Sequence, residues 1–89
     1  MDYGTVRIIL QGAISSPAEV NLSALDDAIR WVEDRGSVRR LDKGADANVY
    51  SSQFETVAAE MRVLRRLLAH SELIGATESA KRVLTLLAT

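Results

Sequence analysis

The clearest pattern along the chain is an apolar seam between residues 52 and 70. Apolar positions separated alternately by three and four residues lie on one face of a helix. They are Phe54, Val57, Met61, Leu64 and Leu68. Ser52 and Glu55 have the spacing of a capping box, which predicts that this helix begins at Ser52. Val63 and Leu67 lie beside the seam, so the apolar face is wider than one packing contact usually requires.

Two weaker seams predict two further helices. The first has apolar residues at helical spacing and predicts a helix from about Ser23 to Arg35, with Ser16–Glu19 as a competing start. Its seam is Leu22, Leu25, Ile29 and Val32. After Gly75, Thr77 is a predicted cap for the last helix. The inner face of that helix is Ala80, Val83, Leu84 and Leu87.

The N-terminal segment favours a strand instead. Residues 5–10 are rich in β-branched and apolar side chains, and Gly4 and Gly12 enclose them. A run this short between glycines is typical of a strand. Residues 38–42 predict either a short second strand or a loop. The expected fold is therefore α+β and helix-dominated, with an N-terminal β-strand on three amphipathic helices, in one small domain spanning residues 1–89.

Composition narrows the classes of function. The chain has 89 residues, so its core is thin and association with a second copy would add stability. It contains no cysteine, which excludes disulfides, thiolate zinc sites and a cysteine nucleophile. No apolar run approaches the length of a membrane span, and the N-terminus lacks the basic start of a signal peptide. We therefore expect a cytoplasmic protein with no membrane contact.

Catalytic signals are absent from the sequence. The single histidine, His70, has no cysteine partner for a common zinc site, and the scattered glycines form no phosphate loop. Neighbouring acids such as Asp26 and Asp27 point about 100° apart on a helix, so they do not converge on one site. Asp26 instead has the spacing of a surface pair with Arg30. We expect no catalytic residue, no metal and no cofactor, and hence no enzyme.

Two groups of basic residues are candidate contacts for an anion or an acidic partner. The first group lies near residue 40 and the second lies on the long predicted helix. The candidates are Arg39, Arg40, Arg62, Arg65 and Arg66. The same residues also fit solvated helix faces, because nearby acids balance the first group and the second lies opposite the seam. The net charge of −1 gives no general attraction to nucleic acid.

The leading hypothesis is a noncatalytic protein-interaction or regulatory module that self-associates as a homodimer through an amphipathic helix. Trp31 lies at the edge of its helix seam, where tryptophan suits an interface. The predicted interface residues are Trp31, Phe54, Met61, Val63, Leu64 and Leu67. One alternative is a small dimeric DNA-binding regulator that uses the arginine groups together with Lys81 and Arg82. A second is a small subunit or inhibitor of a larger enzyme.

Overall fold

Helices make up most of the chain that the structure describes. The computed structural model describes the backbone of residues 1–41 and 47–88, and the side chains of residues 1–35 and 53–88. The helices are α1 (Tyr3–Ser15), α2 (Leu22–Leu41), α3 (Ala47–Ala69) and α4 (Leu73–Ala88). A 3-10 turn at Pro17–Glu19 separates α1 from α2. These described residues contain no strand, so the expected α+β fold is wrong and the described chain is a small helical bundle.

The predicted N-terminal strand is a helix for two physical reasons. Asp2 caps it, because its side chain accepts a hydrogen bond of 2.8 Å from the backbone N–H of Thr5. Val6, Leu10 and Ala13 then fall on one helical face, and all three are fully buried. Gly12 does not end the helix, because a glycine inside a helix costs only about 1 kcal/mol and burial outweighs that cost. The local preference for a strand is overridden by tertiary packing.

The second predicted strand is wrong as well, within the part that is described. Residues 38–41 form the last turn of α2, and residue 42 lies outside the described residues. The helix begins at Leu22, one residue before the predicted start. Its first turn is capped by Asn21, whose side-chain oxygen accepts a hydrogen bond of 3.2 Å from Ala24 N. The competing start at Ser16–Glu19 forms the 3-10 turn.

The four helices alternate in direction. Thr77, near the start of α4, has its hydroxyl oxygen 3.5 Å from the carbonyl oxygen of Ala13, near the end of α1. At the opposite end, Gln53 Nε2 donates to the carbonyl of Leu86 at 3.1 Å. The contacts of Asp26 with Arg65 and of Glu33 with Arg62 align α2 antiparallel to α3. Consecutive helices therefore run antiparallel, as expected for short connections in a bundle. None of the described helices is both long enough and apolar enough to cross a membrane.

Helix α3 is the central element, because it packs against α2 on one side and α4 on the other. The predicted seam is confirmed for Val57, Met61, Leu64 and Leu68, which are all buried. The predicted start at Ser52 is wrong, because the helix begins at Ala47. The width of its apolar face follows from these two neighbours. Leu67 lies on the α4 side. A Cβ atom placed on Gly75 of α4 would lie 3.5 Å from the Cδ2 atom of Leu67.

The turn between α3 and α4 depends on Ser71, for which the sequence contains no turn signal. Ser71 has a φ of 58°, in the left-handed region. Its N–H donates to Leu68 O at 3.1 Å, and the N–H of Glu72 donates to Leu67 O at 2.9 Å. This pair of bonds is a Schellman motif, which usually has glycine at the left-handed position. Helix α4 then begins at Leu73, so Thr77 lies inside it and its hydroxyl donates to Leu73 O at 3.0 Å.

Candidate functional site

In the described chain, an open groove of about 520 Å³ lies between α2 and α3. Six charged side chains line it. They are Asp26, Arg30 and Glu33 from α2, and Arg62, Arg65 and Arg66 from α3. Ile29 and Ala69 form its apolar part, and His70 lies at one end. All three arginines predicted on the long helix therefore border one site.

Helical periodicity brings these side chains together. Asp26, Arg30 and Glu33 are spaced by four and three residues, so they follow one stripe along α2. Arg62 and Arg66 are likewise one turn apart on α3. Because α2 and α3 are antiparallel and adjacent, the two stripes border the same depression. Sequence spacing alone predicts each stripe, whereas their meeting depends on the tertiary fold.

Two ion pairs cross the groove. Arg65 Nε donates to Asp26 Oδ1 at 3.0 Å, and its Nη2 donates to Oδ2 at 3.4 Å. The hydrogen bond to Asp26, followed by the charge of that carboxylate, raises the pKa of Arg65. Arg62 pairs with Glu33. The predicted pair between Asp26 and Arg30 is wrong, because Asp26 binds α3 instead.

These pairs leave the groove with excess positive charge. Arg30 has only a loose contact with Asp27, with Nη1 and Oδ1 4.0 Å apart, and its side chain is 74% exposed. Arg66 is exposed and forms no ion pair with any described residue. The lining has four arginines and two acids, an excess of two, which falls to one when the neighbouring Asp27 is counted. The chain as a whole has a net charge of −1.

Three further basic residues of the described part, Arg35, Lys81 and Arg82, do not line the groove. Arg35 is stacked on aromatic rings, with its guanidinium carbon 4.9 Å from the centre of Trp31 and 5.9 Å from that of Tyr3. The side chains of Arg39 and Arg40 lie outside the described residues. On α4, Lys81 pairs with Glu78 at 3.6 Å and Arg82 pairs with Glu60 at 2.7 Å.

The predicted interface residues divide into two groups. Met61 and Leu64 are fully buried in the core, where they pack the helices of a single chain. The other four are half-buried. They are Trp31, Phe54, Val63 and Leu67. The ring of Tyr3 packs edge-on against Trp31, with centres 4.8 Å apart, and lies nearly parallel to Phe54 at 6.3 Å. This aromatic contact holds the start of α1 against α2 and α3.

The α2 side of the groove was not predicted from the sequence. Asp26 and Arg30 were interpreted only as an ordinary surface pair. The 26, 30 and 33 spacing was the available signal, but only the packing of α2 on α3 gives it meaning. Over the described ranges, no three histidine, aspartate or glutamate side chains are grouped so that they could hold a metal ion.

Comparison with known proteins adds no further assignment. No protein-family model matches the chain, and no similar protein was found among curated proteins or among solved structures.

Proposed function

We propose that this chain is a cytoplasmic, noncatalytic protein-interaction module that binds an acidic segment of a partner protein in the α2–α3 groove. The observation that carries the proposal is the excess positive charge of the groove on a chain whose net charge is −1. Arg66 and Arg30 are the side chains most available to a partner carboxylate. The lack of cysteine in the sequence supports a reducing compartment.

The paired acids of the groove favour a short acidic segment over duplex DNA. DNA carries one negative charge per about 1.7 Å of its axis, so a phosphate backbone would pass close to Asp26 and Glu33. A protein segment can place a few carboxylates beside Arg30 and Arg66 and avoid those acids. The basic residues of α4 do not extend the groove, because Lys81 and Arg82 pair with acids on another face.

Self-association through the apolar face of α3 has less support than the sequence suggested. Met61 and Leu64 already belong to the core of one chain, and Leu67 packs towards Gly75 of α4. The width of this face therefore needs no second copy to explain it. The homodimer stays a prediction, and the proposed interaction surface moves to the groove.

The groove predicts modest, salt-sensitive binding. Exposed ion pairs contribute about 0.2–1 kcal/mol each, so removing one arginine should weaken binding by about 1.4-fold to fivefold. Raising the salt from 0.1 M to 1 M shortens the screening length from about 10 Å to about 3 Å, which should abolish most of the binding.

The first test is fluorescence anisotropy with labelled poly-glutamate of about 20 residues. We expect salt-sensitive binding that Arg66→Gln and Arg30→Gln each weaken. Lys81→Gln is the matched control, because it removes one positive charge from α4, away from the groove. No binding at low salt, equal losses in the groove variants and the control, or tighter binding of duplex DNA than of poly-glutamate would each overturn the proposal.

A second variant gives an effect of opposite sign. Glu33→Gln removes the carboxylate that holds Arg62 and adds one unit of positive charge to the groove. We expect it to strengthen poly-glutamate binding by about 1.4-fold to fivefold. Because general destabilisation of the fold weakens binding, a gain in affinity identifies the charge of the groove as the cause. An unchanged or lower affinity would contradict the proposed role.

A further inference from the structure

We infer that the acidic segment is helical and lies along the α2–α3 groove as an additional helix. This inference rests on the proposed function, because it specifies the partner of the same site. It is carried by the spacing of the available cations along the groove and by the backbone hydrogen bonding of its two walls.

The two available arginines lie about one helical turn apart along the groove. Two ion pairs align the antiparallel helices, because Arg65 lies beside Asp26 and Arg62 lies beside Glu33. Taken together, the two pairs place Arg66 about level with Asp27 on α2. Arg30 lies three residues beyond that level, a rise of about 5 Å. Two carboxylates three or four residues apart on a partner helix have a similar separation, so one can face each arginine.

The groove also has the length and the lining that a helix needs. From Arg62 to His70 the α3 wall extends about 12 Å, which is about two helical turns. Ala69 is exposed in the lining, and its small side chain allows close approach of a neighbouring backbone. Ile29, which is 8% exposed, gives the base of the groove limited apolar area. The specificity of binding should therefore come mainly from charge.

Backbone hydrogen bonding favours a helix over an extended segment. Both walls of the groove are helices, whose backbone groups in this region already bond within each helix. An extended peptide gains its affinity by pairing with a free strand edge, and the described part of this chain has none. A helix enters with its own backbone groups satisfied, so burial against α2 and α3 leaves none of them without a partner.

The test compares three alanine- and glutamine-based peptides of about 20 residues, a length at which isolated helices form. All three have four glutamates. In the striped peptide the glutamates are spaced by four and three residues along one face. In the dispersed peptide they are distributed around the helix. In the broken peptide the striped pattern is kept, but two central alanines are replaced by proline, which prevents the helix. Circular dichroism verifies the helicity of each peptide.

We expect the striped peptide to bind at least about fivefold more tightly than the dispersed and broken peptides, the effect of one or two exposed ion pairs. Arg66→Gln should remove most of this preference, whereas Lys81→Gln should preserve it. Equal binding of the striped and broken peptides would overturn the helical inference but leave the proposed function intact. If poly-glutamate binds but the striped peptide is not preferred, the helical inference is likewise overturned and the proposed function stands. If neither poly-glutamate nor any of the three peptides binds at low salt, both proposals fall.

Discussion

The helical state of the N-terminal segment can be tested by comparing two neighbouring side chains. In a strand, alternate residues share a face, so Ile8 and Leu10 would be buried together. In α1 they lie on different sides: Leu10 is fully buried, whereas Ile8 is 68% exposed. Substitution of each residue by alanine therefore separates the two conformations.

The expected magnitudes differ by several fold. Leu10→Ala removes a buried side chain and should lower the free energy of unfolding by about 2–5 kcal/mol. Ile8→Ala changes an exposed position and should alter it by no more than about 0.5 kcal/mol. An 89-residue domain has a total stability of about 4–13 kcal/mol, so the first change is a large share of the whole. Val6→Ala, at another fully buried position, should cost about 1.5–2 kcal/mol and remains measurable if Leu10→Ala does not fold.

The assay is urea denaturation followed by far-ultraviolet circular dichroism, with the three variants and the parent protein at the same concentration. If α1 is helical, the free energy of unfolding should fall clearly in Leu10→Ala and Val6→Ala and should hardly change in Ile8→Ala. Equal losses at positions 8 and 10 would match the strand pattern and refute the helix. A negligible loss at both buried positions would show that α1 is not packed on the rest of the chain.

Three further predictions concern single contacts. Ser71→Gly should raise the free energy of unfolding by about 1 kcal/mol, because glycine relieves the left-handed backbone at the end of α3, and differential scanning calorimetry should show a higher Tm. Ser79→Ala should lower the free energy of unfolding by about 1 kcal/mol in urea denaturation, because the buried hydroxyl donates to Glu60 Oε1 at 3.2 Å. Hydrogen bonds from Thr5 lower the pKa of Asp2, so the cap stabilises the protein at neutral pH and this contribution is lost as the pH falls below about 4. Asp2→Asn, which keeps an oxygen acceptor but does not titrate, should show a smaller loss of Tm between pH 5 and pH 2 than the parent; equal losses would contradict this assignment.

The sequence predicted correctly the helices whose apolar positions fit the spacing of a helix but not the alternation of a strand. Val57, Met61, Leu64 and Leu68 fit a helix and no strand, and all four are buried. Residues 5–10 fit both periods, because four of the six positions are apolar. One feature of the sequence did favour a helix: Asp2 lies three residues before Thr5, whose backbone N–H it caps. The weight given to β-branched residues and to Gly12 led to the wrong element, and burial of one face decided the outcome.

Only the α3 side of the candidate site could be predicted from the sequence. The arginines of α3 were recognisable as a basic group, but their partners depend on which helix packs beside them and in which direction. Asp26 lies 39 positions before Arg65, and nothing local in the sequence relates the two. The width of the α3 apolar face was interpreted as a surface for a partner, whereas it serves two neighbouring helices. A wide face indicates contacts without indicating whether they lie within one chain.

The aromatic contact at the start of α1 gives the chain an intrinsic optical probe. Trp31 is the only tryptophan, and it contacts both the ring of Tyr3 and the guanidinium of Arg35. Any displacement of α1 from α2 and α3 removes the tyrosine ring and exposes the indole to water. The emission maximum of the unmodified protein therefore reports the docking of its first helix separately from the rest of the bundle. A shift in emission that precedes the loss of helical signal during denaturation would identify α1 as the first element to detach.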